Sequence, residues 1–346
     1  MIDLTKKLIS IPSILGEKSD IADFIASELE KYGNVKVYDD GKFGKTIIAK
    51  SSVYSKNGII LASHMDTVRP MDGWKTNPFK PFERNNRIYG LGASDMKAGI
   101  AISMEIFKKF SKKKQLTFFC TGDEEGMSMC CYKNLDKIEG SVCLVPEPTN
   151  EKIMLGARGR YVIDIIIKGK SAHGARPYLG INAIEKAGEV IKNLKKIKFK
   201  KDKRLGEGSI CPLKIFGGED SLTVPEKCLI RVDRHFVFGE NESFILDQIK
   251  RIINFRGAEV RLMERESPFL EPYISKGPYI KKFIELCAQD IFYGMSVGDY
   301  NLLAKKFPTI VFGPKGANWH SANEFVEIES IKRCKRIYEE YINGLI

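Results

Sequence analysis

The run GIILASHMDT, residues 58–67, decides how the first part of this chain is interpreted. Its apolar part, from Gly58 to Ala62, is typical of a β-strand. His64 and Asp66 follow where that strand would end. In α/β proteins the functional side chains collect in the loops after the strands. The run therefore predicts an α/β fold in which this strand end carries a functional site.

Other apolar runs along the chain end in the same way. Two further predicted strands, LTFFCT at residues 116–121 and VCLV at residues 142–145, lead into GDEEG and PEPT. A further aspartate lies in GLGASDMKAG, before a predicted helix at residues 96–110, and a histidine lies in GANWHSANE. The candidate functional residues are therefore His64, Asp66, Asp95, Glu124, Glu125, Glu147 and His320.

This set of side chains suits a pair of divalent metal ions. Zinc-like ions take histidine nitrogen and carboxylate oxygen as ligands, and paired ions are expected to share at least one carboxylate. Two histidines and three acids would complete such a set. The two remaining acids would serve a hydrolase, one behind a ligand histidine and one beside the attacking water. The pattern predicts a two-metal hydrolase.

The motifs ASHMDT, GASDMKAG, GDEEG, EPT and SAHGARP follow one another over nearly the whole chain. Together they resemble the metallohydrolase family that contains aminoacylase, acetylornithine deacetylase, succinyl-diaminopimelate desuccinylase and the glutamate carboxypeptidases. The resemblance implies two divalent metal ions per chain. Zinc is the expected ion, and cobalt and manganese are the alternatives. It also implies a non-proline cis peptide bond at Asp95–Met96. The roles it implies are one ion on His64 and Glu147, the other on Glu125 and His320, Asp95 as the bridge, Asp66 orienting His64, and Glu124 as general base.

Length and composition predict an ordinary cytoplasmic enzyme. With 346 residues, 43% of them hydrophobic, the chain can bury a large core in more than one domain. No run reaches the roughly 18–20 apolar residues that a membrane span needs. The N-terminal segment lacks a signal-peptide core. The eight cysteines form neither a zinc knuckle nor a disulfide framework, which predicts reduced thiols.

The order of predicted elements divides the chain into two domains. Strand-like and helical runs alternate up to residue 157, which predicts a mixed sheet flanked by helices. Residues 158–267 follow the order βαββαβ of ferredoxin-like folds. Because His320 must join ligands from the N-terminal part, residues 1–157 and 268–346 are predicted to form one discontinuous catalytic domain. The resemblance implies this zinc-peptidase-like layout, with the inserted domain as lid and dimerisation domain.

The predicted inserted domain and the segment after it hold further candidates. His173, in SAHGARP, is either a plain loop residue or, as the resemblance implies, a donor to the reaction's oxyanion, often across a homodimer interface. Arg158 and Arg160 are either a solvated pair at a hinge or a grip on a substrate carboxylate. The resemblance to desuccinylases favours Arg158. Asp299 and the run FGPKGANWH, residues 312–320, are further candidates, for the floor of a substrate pocket.

Two positions depart from the family pattern. Many members carry an arginine where this chain has His235, and here Arg234 stands one residue early. Many also carry an asparagine where this chain has Leu222. Both positions contact substrate in the family, so the substrate is the part that the pattern leaves open. His235 is either a substrate contact or an internal residue of a strand.

Charge is concentrated in one part of the chain. The net charge is +12, and KNLKKIKFKKDKR, residues 192–204, contributes eight basic residues. Such a run is usually a solvated face. The alternatives are steering of an anionic substrate and docking of an acidic carrier protein. Nucleic-acid binding is not expected, since the run contains one aromatic residue and the chain shows no recognition module.

The function predicted first is metal-assisted removal of an acetyl or succinyl group from an N-acyl amino acid, as in arginine or lysine biosynthesis. A dipeptidase or carboxypeptidase with the same two-zinc site is the second hypothesis. A non-catalytic relative that binds a metabolite or partner is a third, from another class. The intact set of ligands and base argues against it.

Overall fold

The computed structural model describes residues 1–55, 58–219 and 222–345. The chain forms two compact units. The first comprises Met1–Gly156, Tyr273–Gly294 and Gly298–Ile346, and the second, the inserted unit, comprises Ala157–Pro272 and Met295–Val297. The predicted boundaries were residues 1–157 with 268–346, and 158–267. All eight cysteines are free, and Cys211 alone among them is exposed.

The first unit is built on a mixed sheet with helices packed on it, which confirms the predicted α/β class. Most of its strands are the apolar runs of the sequence. In spatial order the strands are Asn34–Asp39, Lys45–Lys50, Leu116–Thr121, Ile59–His64, Val142–Val145, Thr309–Val311, Ile153–Ala157 and Tyr273–Ile274, with Ile291–Gly294 pairing beside Ile153–Ala157.

Parallel pairing at the centre of this sheet fixes where the functional loops meet. Ile59–His64 is parallel to Leu116–Thr121 on one side and to Val142–Val145 on the other. Val142–Val145 is in turn parallel to Thr309–Val311. The carboxyl ends of parallel strands lie at one edge of a sheet. The loops that carry His64 with Asp66, Glu124 with Glu125, and Glu147 therefore leave the sheet at the same edge.

The helices of the first unit cover the sheet with apolar faces. Ala98–Phe110 is buried along nearly its whole length, because Ile100, Met104 and Phe107 pack into the main core. The α-helices among the described residues of this unit are Ile2–Ile9, Ile21–Leu29, Ala98–Phe110, Met129–Asn134, Pro278–Cys287, Asp299–Lys306 and Ile328–Gly344.

The predicted helix from Met96 to Phe110 was wrong at its start. The α-helix begins at Ala98, because Asp95 (φ −116°, ψ 93°) and Met96 (φ −129°, ψ 39°) have non-helical backbone angles. The Asp95–Met96 peptide bond is cis, as the resemblance implied. Asp95 therefore lies on a tight turn before the helix.

A small antiparallel sheet joins this turn to the C-terminal part of the chain. Phe325 pairs with Tyr89, and Val326 pairs with Ile88. In spatial order its strands are Gly316–Ala317, Phe325–Glu327, Arg87–Tyr89 and Phe82–Arg84.

The inserted unit has its own sheet and core. Its strands lie in the antiparallel order Ser209–Gly217, Lys227–Phe236, Gly159–Lys168, Ala258–Leu262, and its helices are Ala183–Leu194 and Glu242–Ile252. This is the ferredoxin-like order that the βαββαβ pattern predicted. A short hairpin, Lys201–Asp202 with Gly206–Glu207, is added to it. Alternate residues of Lys227–Phe236 are buried, so one sheet face packs on the helices.

Candidate functional site

His64 ends its strand as a buried imidazole between acidic groups, with 2% of its surface exposed. Its Nδ1 lies 3.1 Å from the backbone oxygen of Asp66 and 3.4 Å from that residue's Oδ1. Its Nε2 faces the other way, 3.1 Å from Oδ1 of Asp95 and 3.6 Å from Oε1 of Glu147. Asp66 therefore lies behind the ring, and Nε2 points at the two acids predicted to share an ion with it.

Asp66 also fixes the loop that carries the two adjacent glutamates. Its Oδ1 accepts the backbone N–H of Glu124 at 3.2 Å, and its Oδ2 accepts that of Glu125 at 3.1 Å. The carboxylate is 3% exposed. One buried side chain thus lies behind His64 and holds the start of the loop that carries Glu124 and Glu125.

His320 reaches the same acids from the C-terminal part of the chain. Its Nε2 lies 2.8 Å from Oε1 of Glu125 and 3.4 Å from Oδ2 of Asp95. Its backbone lies in the left-handed region, with φ of 58°. Its side chain is 51% exposed, in contrast to His64.

Asp95 is common to two groups of side chains whose ligand atoms converge. His64, Asp95 and Glu147 form one group, and Asp95, Glu125 and His320 form the other, with the atoms of each group within 4.8 Å of one another. These are the two sets of ligands that the family resemblance implies for two metal ions. A third grouping, His64 with Glu124 and Glu125, also meets that distance.

The acidic groups perturb one another strongly. Burial raises the pKa of Glu147 to about 7, and burial together with the charges of Glu147 and Glu125 raises the pKa of Glu124 well above its usual range. Hydrogen bonds to Asp95 and Glu125 raise the pKa of His320 to about 10. Histidine binds a metal through a neutral ring, so an ion and a proton compete for these nitrogens. Crowded carboxylates around imidazoles are a donor set that fits divalent cations.

Glu124 lies against the start of helix Asp299–Lys306, beside Gly298. A Cβ on Gly298 would overlap Oε1 of Glu124 and would lie 2.7 Å from the ring of Tyr300. The next residue, Asp299, is buried, and its Oδ2 accepts the hydroxyl of Thr121 at 2.6 Å. Burial raises the pKa of Asp299 to about 6. The role of Gly298 was not predicted from the sequence, since it depends on a contact between distant segments.

Glu324 is a further buried acid that sequence analysis did not single out. With 1% of its surface exposed, it accepts the backbone N–H groups of Gly92 and Ser94 at 2.7 Å and of Asp95 at 2.9 Å. Burial raises its pKa to about 8, and these N–H donors oppose the shift by favouring the charged form. Its position four residues after His320, in the same GANWHSANE motif, was the available signal.

The remaining candidates divide between exposed and paired side chains of the inserted unit. His173 is exposed, and its Nδ1 accepts the N–H of Ala175 at 3.0 Å. Arg158 donates from Nε to the backbone oxygen of Leu205 at 3.1 Å. Arg160 and His235 both pair with the carboxylate of Asp233, and the distances are 2.6 Å from Arg160 Nε and 3.2 Å from His235 Nε2. Arg234 is fully buried against Glu240, at 2.6 Å.

The basic run and Leu222 lie on the surface of the inserted unit, whereas His235 is only partly exposed. The basic residues of 192–204 are all exposed, and the charge of Lys200 lies over the ring of Phe244. Leu222 is 88% exposed.

None of the helices in the described residues combines the length and hydrophobicity that a membrane crossing requires.

Comparison with known protein families agrees with this cluster of histidines and acids. The model of peptidase family M20/M25/M40 matches residues 60–344, and the chain belongs to this family of hydrolases.

Curated relatives of similar length match this chain over almost its whole length. A succinyl-diaminopimelate desuccinylase from a Nitratiruptor species is 28% identical, over 99% of this chain and 99% of the relative. The enzyme of that name from Wolbachia pipientis wMel is 27% identical, over 99% and 92%.

Solved structures share the fold at lower identity. The aminopeptidase PepT from Bacillus cereus ATCC 10987 superposes with a TM-score of 0.79 at 18% identity, over 99% of this chain and 97% of that one. A dinuclear metal-binding peptidase of the M20 family from Bacillus subtilis superposes with a TM-score of 0.71 at 16% identity, over 99% and 96%.

Proposed function

We propose that this hydrolase removes an acyl group, of the acetyl or succinyl type, from an N-acyl amino acid, with two divalent metal ions as cofactors. The observation that carries the proposal is the position of Asp95 within two ligand groups, with Glu124 beside them. Zinc is the ion we propose, because imidazole and carboxylate together are its usual donors. His64 and Glu147 would hold one ion, Glu125 and His320 the other, and Asp95 both.

Bound ions would polarise the acyl carbonyl and lower the pKa of the attacking water. Glu124 would take a proton from that water and return it to the leaving nitrogen, which is general acid–base catalysis. Burial raises the pKa of Glu124, which makes its carboxylate a stronger base for this transfer. Asp66, behind Nδ1 of His64, would keep Nε2 free to act as a ligand.

Support for the substrate class comes from the desuccinylase relatives, which act on an acylated amino acid by their names. Arg158 is the side chain we propose for the substrate carboxylate, because the resemblance to desuccinylases favours it and a guanidinium can bind a carboxylate through two hydrogen bonds. His173 would donate a hydrogen bond to the oxygen of the acyl carbonyl. A peptidase is the second candidate, and the structural relatives described as aminopeptidase and dinuclear peptidase favour it.

Metal analysis combined with a substrate panel tests this function. We expect about two ions per chain in protein loaded with zinc. Chelation should abolish hydrolysis of N-succinyl-diaminopimelate or N-acetylornithine, and added zinc or cobalt should restore it. Dipeptides assayed in parallel separate the two candidates, since faster dipeptide hydrolysis would favour the peptidase. If protein incubated with excess zinc bound no metal, both candidate functions would be excluded.

We also propose that the inserted unit forms a homodimer through its exposed edge strand. Ser209–Gly217 pairs with Lys227–Phe236 on one side, and no other strand in the described part of the chain pairs with it. Its side chains Leu213, Ile215 and Phe216 are 49%, 50% and 59% exposed. An apolar edge strand is a template for pairing, and pairing with its own copy would satisfy both chains by two-fold symmetry.

Charge on this strand should therefore dissociate the dimer. We expect the double variant Ile215→Lys, Phe216→Lys to sediment as a monomer at a concentration where the unchanged protein sediments as a dimer, because lysine is costly to bury at an interface. Tyr54→Lys, which replaces an 84% exposed ring in the first unit, is the control and should remain dimeric. A monomeric unchanged protein at micromolar concentration would refute the proposal.

A further inference from the structure

The tight turn that presents Asp95 leaves backbone N–H groups inside the protein. Gly92 has φ of 74°, and a Cβ there would lie 2.7 Å from Cγ2 of Thr67 and 3.2 Å from Cδ of Lys97. The regular helix begins only at Ala98. The N–H groups of Gly92, Ser94 and Asp95 therefore have no helical partner. Buried N–H groups without an acceptor are costly, so this turn requires one.

The acceptor comes from a distant part of the chain. Oε1 of Glu324 receives the N–H groups of Ser94 and Asp95, and Oε2 receives that of Gly92. The backbone oxygen of Glu324 also accepts the N–H of Gly90 at 3.1 Å. Glu324 thus holds the turn from Gly90 to Asp95 with both its side chain and its backbone.

The same residue lies on the segment that carries His320. Asn318 Nδ2 donates to the backbone oxygen of Asn323 at 3.2 Å, and Asn323 Oδ1 accepts the N–H of Lys75 at 2.9 Å. Directly after Glu324, Phe325 pairs with Tyr89. The loop of His320 and the turn of Asp95 are therefore anchored to each other at Glu324.

We propose that Glu324 is a positioning residue that places Asp95 and His320 at a fixed separation, so that one divalent ion can bind both. This inference rests on the proposed function, because it concerns the same two-metal site. Glu324 itself contacts neither ion in this scheme. Its effect passes through the backbone of Asp95, in the way that side chains behind metal ligands tune a site.

The test is Co²⁺ binding by Glu324→Gln, measured on metal-free protein by titration and by visible absorption of the bound ion. Glutamine has nearly the same shape, but its amide NH₂ would face at least one N–H donor of the turn. We expect a roughly 10- to 100-fold loss of affinity for the ion held by Asp95, Glu125 and His320, with an altered cobalt spectrum. Glu327→Gln is the matched control, since the carboxylate of Glu327 pairs with Arg87, at 3.8 Å.

The outcomes separate this inference from the proposed function. If the unchanged protein binds about two Co²⁺ ions and Glu324→Gln binds both with unchanged affinity and spectrum, Glu324 is structural only and the inference fails. If the unchanged protein binds none, the proposed function fails first. Should Glu324→Gln not fold, hydrogen exchange on the unchanged metal-free protein decides. Slow exchange of the amides at residues 92–95 supports the anchoring, and exchange at the rate of an open loop overturns it.

Discussion

Replacing Glu124 by glutamine should lower kcat by about 10²- to 10⁴-fold, the usual contribution of a general acid–base residue, while the protein keeps its metal. Glutamine has nearly the same shape as glutamate, so it preserves the fit of this side chain beside Gly298. It cannot carry the proton from water to the leaving nitrogen. The measurements are steady-state kinetics and metal content of the same preparation.

Metal content makes this prediction decisive, because Glu124 also lies within reach of His64 and Glu125 in the third grouping. Loss of one ion in Glu124→Gln would identify Glu124 as a ligand and remove its assignment as the base. Turnover within a few-fold of the unchanged enzyme would contradict the assignment in another way. Glu125→Gln is the neighbouring control, and it should lose an ion as well as activity.

The central strands could be predicted from the sequence almost to the residue. Leu116–Thr121 and Val142–Val145 have the predicted bounds, because parallel strands buried on both faces are continuous apolar runs. The edge strand Asn34–Asp39 was missed. Its residues are largely exposed and polar, so no apolar run marks it. The helix Asp299–Lys306 was missed too, since it begins at a glycine without a side-chain cap.

The candidate site was predictable where chemistry alone distinguishes a residue. Imidazole and carboxylate groups after apolar runs are rare enough in combination to be recognised, and the structure brings all seven of them together. Glu324 and Gly298 act through backbone contacts. Glu324 binds N–H groups 229 to 232 residues away in sequence, and Gly298 matters because Glu124 lies against it. A glutamate or a glycine in the sequence does not indicate contacts of this kind before the fold is known.

Asp95→Asn should have the other large effect, the loss of both metal ions and of measurable activity. Asparagine keeps the size of the side chain, but its neutral amide cannot supply two anionic oxygens. Oδ1 of Asp95 faces His64 and Oδ2 faces His320, so the substitution weakens both ligand groups at once. Metal affinity should fall for both ions, which titration with Zn²⁺ or Co²⁺ measures directly.

His320→Ala is the comparison that shows whether Asp95 is shared. It removes a ligand from one group and leaves His64, Asp95 and Glu147 intact. We expect this variant to retain about one ion per chain, because that group still offers an imidazole and two carboxylates. If Asp95→Asn also retained one tightly bound ion, Asp95 would serve a single ion. The two groups would then be separate sites, and the Asp95 turn would matter for only one of them.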